Sequence, residues 1–323
     1  MPRLWHDGGM RLRIDLAYDG TDFHGWATQP GLRTVQGELE RALALAMHIR
    51  ATPAGIALSA ADAWPRVVVA GRTDTGVHAS HQVCHLDVPE ELLSRAVGHM
   101  DALPTEALRR RISHILPPDI AVHAIVEAPE GFDARFSALE RVYVYRVSDG
   151  ARLCDPRLRG FVLRCDDDLD VAAMNEAARC AIGLHDFGSF ATPNPGGTTI
   201  REVKSVLWAR AGTGTLPNPD GDGAHDVPFC ESGLLTFTIV ADAFAHNMVR
   251  SLVNACLQVG RGRKSVEWFR GKIASPVREG GTGPAPACGL TLERVVYPAD
   301  ADLASRAASI RARRTLEWGS SPE

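Results

Sequence analysis

The segment Gly71-Arg72-Thr73-Asp74-Thr75-Gly76 gathers the residues best suited to chemistry. It follows Val67-Val68-Val69-Ala70, an apolar run that reads as a buried strand. A carboxylate on a tight loop just beyond a strand end is well placed to meet a ligand in a cleft. Asp74 there could act as nucleophile, base or metal ligand. The same aspartate could instead brace the turn by bonding its side chain to the backbone, and spacing leaves both readings open. Arg72, two residues earlier, adds a positive charge to the same loop. The loop is no phosphate cradle, since it fits neither the G-x-x-x-x-G-K-[ST] nor the G-x-G-x-x-G pattern.

Other constellations lie further along. His78, His81, Cys84 and His85 invite a zinc reading, and a helix would set the three histidines on one face. Val83, Leu86 and Val88 read as strand, however, which splits the set between two faces; the spacing fits no standard zinc pattern, so no metal is expected. Residues 134–147, ARFSALERVYVYRV, hold Phe136, Tyr143 and Tyr145, with both tyrosines on one side of a strand. An aromatic beside a cleft can stack on a nucleobase. The plainer reading of a lone strand tyrosine is packing with its hydroxyl bonded. A helix opening near Asn247 puts Arg250 in its first turn, where the dipole favours anions. From 250 to 278 seven basic residues (Arg250, Arg261, Arg263, Lys264, Arg270, Lys272, Arg278) face one acid, Glu267. That excess suits a phosphate-facing patch or a solvated helix face. The run Asp166-Asp167-Asp168 reads as a helix-entry turn.

These residues need elements to carry them. RLRIDLAY at 11–18 alternates apolar and polar residues, as a half-buried strand does. Thr34 to Met47 predicts a helix, with Val35, Leu39, Leu43 and Met47 at spacing four and Thr34 as N-cap. Strands are expected over 67–70, from Gln82 to Val88, over 120–128, 142–147, 201–208 and 235–240. Helices are expected over 90–112, 169–182, 248–259 and, at the end, 300–314. The stretch 54–66, HDFGSF at 185–190 and the Gly/Pro/Asp-rich stretch 211–229 read as loops. Strands adjoin strands while helices intervene irregularly, which favours a largely antiparallel sheet with helices on one face, an α+β form of the α/β class.

The length of 323 residues suits two domains, with a boundary expected near residue 130. No apolar run is long enough to span a bilayer, and Met1 to Met10 has no signal-like apolar core. Seven cysteines are scattered without a C-x-x-C pair, as in a reducing compartment, so a cytoplasmic location is expected. A net charge of -4 argues against a sequence-blind, histone-like binder but leaves room for an enzyme with a local basic patch. Only Lys204, Lys264 and Lys272 among the 35 basic residues are lysines; the arginines suit bidentate phosphate contacts, or reflect compositional bias.

Eight segments occur in an order that resembles the tRNA pseudouridine synthase A family. They are YDGTDFHGW at 18–26, TVQGELE at 34–40, AGRTDTGVHA at 70–79, ARFSA at 134–138, VYVYRV at 142–147, HDFGSF at 185–190, FAHNMVRSLV at 244–253 and GLTLERVVYP at 289–298. Ala27 stands where the family usually has Gln, and residues 1–10, 92–112, 211–229 and those after 300 look like additions. The resemblance implies an isomerase, a tRNA pseudouridine(38-40) synthase acting on the anticodon stem-loop without metal or organic cofactor. It implies two similar α/β domains, spanning 10–129 and 130–299 here with a tail at 300–323, and an active-site cleft between them. It makes Asp74 the catalytic nucleophile or base, places Arg72 in the active-site loop, has Tyr143 stack on the target uracil and pairs Arg250 with Asp74. Arg72, Tyr143 and Arg250 would bind substrate, and the partners would be tRNA and a second subunit of a homodimer. Two other readings are a non-catalytic RNA-binding protein, which would tolerate loss of Asp74, and a metal-dependent hydrolase using the histidine cluster.

Overall fold

The computed structural model describes residues 9–49, 64–150, 154–193, 197–212, 214–217, 224–227, 230–277 and 282–310. The chain forms two compact units, one drawn from Met1–Leu139 and Leu292–Ala312, the other from Glu140–Thr291.

The first unit contains β1 (Gly9–Tyr18), α1 (Val35–Ala46), β2 (Val67–Val69), β3 (His78–Pro89), α2 (Glu90–Arg95), α3 (Pro104–Ile115) and β4 (Ile120–Glu127). β1 lies antiparallel to β3 on one side and to β4 on the other, and β2 also pairs with β3. The alternation of β1 is real: Leu12, Ile14 and Leu16 are fully buried, while Arg11, Arg13 and Asp15 between them stay half-buried. Its register with β3 runs Leu12 to Leu86, Ile14 to Cys84 and Leu16 to Gln82, then shifts before Tyr18. A bulge of this kind re-aims the side chains that follow it. α1 is capped as the sequence predicts, the Thr34 hydroxyl accepting the Gly37 N–H at 3.3 Å. It buries Val35, Leu39, Leu43 and Ala46, and α3 packs against both α1 and β4.

The other face of this sheet is covered by the 132–134 segment and Tyr297. The Ala134 N–H donates to His85 Nδ1 at 3.0 Å, the Tyr297 hydroxyl donates to the Ala134 carbonyl at 2.7 Å, and the Phe132 and Tyr297 rings lie 5.0 Å apart.

Two expectations shift here. β3 begins at His78 and not at Gln82, because His78-Ala79-Ser80-His81 pairs through its backbone while showing no apolar alternation. The helical stretch expected over 90–112 is two helices, separated by a turn with Gly98 at φ +56° and restarted by Pro104 at the first position of α3.

The second unit contains β5 (Glu140–Asp149), β6 (Leu163–Cys165), α4 (Val171–Arg179), β7 (Gly183–Asp186), β8 (Ile200–Arg210), β9 (Gly214–Pro217), β10 (Ala224–Val227), β11 (Leu235–Ala241), α5 (Met248–Gly260) and α6 (Val266–Ala274). Its main sheet runs β5-β11-β8-β7, all antiparallel, with β6 parallel to β5. Leu235, Phe237, Ile239 and Ala241 alternate into the core beside Tyr143, Tyr145 and Val147, and Trp208 stacks on Phe237 at 4.8 Å. α5 buries Met248, Leu252, Cys256 and Val259, and Gly260 lets α4 come close, since a Cβ there would sit 2.5 Å from Met174 Sδ.

The stretch 211–229 is not simply a loop, because β9 and β10 pair antiparallel within it. Backbone pairing over four residues needs no apolar pattern, so composition does not announce it. His185 and Asp186, expected in a loop, end β7. The chain then returns to the first unit with β12 (Leu290–Val296), beside β3, and with α7 (Leu303–Ile310), where a terminal helix is expected. Most of the expected loop at 54–66 and the tail beyond 310 lie outside the described residues. Among the described residues no helix is long and apolar enough to cross a membrane.

Candidate active site

Asp74 sits on the loop between β2 and β3, and that loop is fastened at nearly every residue. The Ala70 N–H donates to the Val83 carbonyl at 2.9 Å, and Gln82 Nε2 donates to the Gly71 carbonyl, also at 2.9 Å. Thr73 is buried; its hydroxyl lies 2.8 Å from the Tyr18 hydroxyl, and its carbonyl accepts the Trp26 N–H at 3.0 Å. The Val77 N–H closes a turn onto the Asp74 carbonyl at 3.1 Å, and the Gly76 N–H, at φ +76°, reaches the Phe23 carbonyl at 3.2 Å. Thr73 thus faces inward, while Asp74 is half-buried and Arg72 exposed.

The YDGTDFHGW segment is the other half of this construction. Phe23 and Trp26 are almost fully buried, and the Tyr18 and Trp26 rings lie 6.0 Å apart. Two of its glycines admit the loop backbone. A Cβ on Gly20 would lie 2.0 Å from the Val77 carbonyl oxygen, and one on Gly25, at φ +83°, would lie 2.8 Å from the Thr73 carbonyl oxygen. Burial pushes the Tyr18 phenol up to about 12, so it stays a hydroxyl that can donate.

In the second unit Tyr143 points from β5 into the buried side of the sheet, opposite Ile239, with 7% of its surface open. The Phe244 ring meets it edge to face at 5.1 Å and 89°. Tyr145 is a packing residue: it is fully buried, its hydroxyl donates to the Pro286 carbonyl at 2.7 Å, and Gly289 leaves room for its ring. Arg250 is the third residue of α5. Its Nε donates to the Ala285 carbonyl at 2.7 Å while its own carbonyl accepts the Ala285 N–H at 3.0 Å, and its Nη1 lies 3.4 Å from Asn247 Oδ1. Asn247 enters the helix at φ +64° and donates from Nδ2 to the Thr192 hydroxyl at 2.9 Å. A guanidinium at a helix N-terminus opposes the dipole, so an anionic partner is favoured there.

The histidine set is divided by β3 and used in structural bonds. His78 Nδ1 accepts the Gly20 N–H at 3.0 Å, and His85 Nδ1 accepts the Ala134 N–H. Burial, with help from the Arg11 charge, holds the His85 imidazole down at about 4 and hence neutral at physiological pH. Among the described residues no three His, Cys, Asp or Glu side chains come together as a metal-holding group.

The basic stretch is thinner than its count implies. Arg261 is committed to Asp167 at 2.6 Å and to Cys165 Sγ at 3.1 Å, while Arg263, Lys264 and Arg270 are exposed and Arg278 lies outside the described residues. Asp167 is therefore a partner of α5's C-terminal turn, and the cap of α4 is Asp170, which accepts the Ala173 N–H at 3.0 Å. Sequence reasoning assigned no role to Tyr18, Gln82, Phe244 or Ala285. The first three carried only the signal of lying in or beside segments that stood out as motifs.

Comparison with known proteins adds the family. A family model described as tRNA pseudouridine synthase matches residues 177–298. A tRNA pseudouridine synthase A of Bifidobacterium longum is 61% identical over 309 residues, covering 95% of this chain and 99% of the relative. That of Bifidobacterium animalis subsp. lactis is 58% identical over 306 residues, with 95% and 99% covered. That of Streptomyces griseus is 44% identical over 309 residues, with 96% and 95% covered. With such identity along nearly the full length of both partners, the chain belongs to the tRNA pseudouridine synthase A family.

Proposed function

We propose that this protein converts uridine to pseudouridine at positions 38, 39 and 40 in the anticodon stem-loop of tRNA, as a cytoplasmic homodimer, with Asp74 as the catalytic carboxylate. Its family makes it an isomerase acting on tRNA uridines. The observation that carries the reading is the half-buried Asp74 carboxylate on a loop fastened at Gly71, Thr73, Gly76 and Val77, within a chain so similar to named tRNA pseudouridine synthases.

The reaction breaks the bond from ribose C1′ to uracil N1 and forms one from C1′ to C5. The ring loses a proton at C5 and gains one at N1, so atoms and oxidation state balance without a co-reactant. A carboxylate serves this chemistry by adding to the ring, by attacking C1′, or by taking a ribose proton to give a glycal. Carboxylates acting at an anomeric carbon are well precedented in glycoside hydrolysis. A stacked uridine must leave its stack to react. Tyr143 is assigned the replacement stack. With so little of its ring open, that contact is worth the low end of roughly 1–3 kcal/mol. Arg250 is assigned the cation that keeps Asp74 ionised and oriented, and its position in the first turn of α5 supports a partner of negative charge. Arg72, exposed on the Asp74 loop, is assigned to the tRNA backbone.

The test is to map pseudouridine in tRNA from cells with and without this protein, and in unmodified transcripts incubated with it. Pseudouridine appearing at 38, 39 and 40 only when the protein is present supports the reading; appearance elsewhere, or binding without conversion, contradicts it.

A further inference from the structure

Beneath the Asp74 loop lies a buried polar chain for which the chemistry itself has no use. Tyr18 is 5% exposed, Thr73 6% and Gln82 fully buried. Gln82 donates through Nε2 both to the Gly71 carbonyl at 2.9 Å and to the Tyr18 hydroxyl at 3.3 Å, while its Oε1 accepts the Val83 N–H at 3.2 Å. The Tyr18 oxygen, which accepts from Gln82, also shares a hydrogen bond with Thr73 Oγ1 2.8 Å away, in which either hydroxyl can donate. The hydrogen bonds therefore link the Gln82 amide through Tyr18 to Thr73. They grip the loop at Gly71 and at Thr73, on either side of Arg72 and one residue short of Asp74. The bulge in β1 between Leu16 and Tyr18 falls where the ring turns toward the loop.

From this arrangement we infer that Tyr18, Thr73 and Gln82 are positioning residues for the Asp74 carboxylate, acting together as a latch on its loop. The inference rests on the proposed role of Asp74. A loop lacks the repeating ladder that holds a strand or helix, so its geometry is only as fixed as its individual bonds. A satisfied buried network supplies that rigidity, and removal of one member leaves the others buried and unpaired. Small misplacements of a reacting group cost rate far out of proportion to stability. The latch is thus expected to act on turnover more than on tRNA binding.

The experiment uses the full chain and a tRNA transcript with uridines at 38–40, and measures kcat, KM and the thermal midpoint. Tyr18→Phe removes only the hydroxyl. It should lower kcat roughly ten- to hundredfold while the protein stays folded at the assay temperature. Its KM should stay within about twofold of wild type. Thr73→Val should reproduce that loss, whereas Thr73→Ser, which keeps the hydroxyl, should stay within about threefold of wild type. The double variant Tyr18→Phe/Thr73→Val should be no slower than the slower single variant, since both cut the same bond. A wild-type kcat for Tyr18→Phe, a Thr73→Ser as slow as Thr73→Val, or a rate loss that merely follows the unfolded fraction would overturn the inference. Should Tyr18→Phe not fold, the Thr73 pair gives the same decision. Asp74→Asn belongs in the series: full activity there removes the assigned role of Asp74 and the latch with it. An inert Asp74→Asn beside a fully active Tyr18→Phe removes the latch alone.

Discussion

Asp74 and the pair Tyr143/Arg250 are held by different means. Asp74 rides on a loop whose polar groups find partners one at a time: the Gly71 carbonyl on Gln82, the Thr73 hydroxyl on Tyr18 and its carbonyl on Trp26, the Gly76 N–H on Phe23. Tyr143 is set by the register of β5 against β11, and Arg250 by the first turn of α5, with Phe244 and Ala285 as the local supports. Regular elements position a side chain through a ladder that many sequences can form. A loop does so only with particular residues at particular places, which is why two glycines and three buried polar side chains converge on so short a segment.

The difference is broken most severely at Gly20. A Cβ there would meet the Val77 carbonyl oxygen at 2.0 Å and carbon at 2.5 Å, and backbone cannot move aside as a side-chain tip can. Gly20→Ala is expected to destabilise the protein by about 3 kcal/mol in denaturant unfolding and to abolish turnover. Gly271→Ala in α6, where nothing lies within 4 Å of the added carbon, is expected to be neutral or to stabilise by up to about 1 kcal/mol. Similar losses at both positions would erase the contrast between loop and helix.

Arg250 sharpens the comparison from the other side. Arg250→Ala removes the Nε–H bond to Ala285, which is worth about 1 kcal/mol of stability. If the guanidinium also acts on the Asp74 carboxylate in the proposed reaction, kcat should fall by roughly a hundredfold or more. Melting and turnover measured side by side decide this: a rate loss no larger than the stability loss explains would make Arg250 a clamp for the 282–286 segment and nothing more.

Much of this was legible in the residues. The alternation of Leu12, Ile14 and Leu16 and the spacing of Val35, Leu39 and Leu43 report burial directly, so β1 and α1 stood out. Asp74 and Arg72 stood out because they follow an apolar strand within a turn. The supports did not. Gln82 looks like any polar residue in a strand until the turn brings Gly71 back to it. The Tyr143–Phe244 contact depends on β11 lying beside β5, a pairing no local pattern encodes. α6 and the β9–β10 ribbon are short elements stabilised by a cap or by backbone pairing, and neither leaves a strong periodicity. Arg261 reads as part of a basic surface in sequence, because its partner Asp167 lies far away in the chain and only folding brings the two together.

The most direct test is single-turnover conversion of an anticodon-arm uridine by wild type and by Asp74→Asn, each first shown to be folded and to bind tRNA equally. The account predicts that the variant binds as wild type does yet forms no pseudouridine. Conversion by the variant at a rate near that of wild type would contradict it.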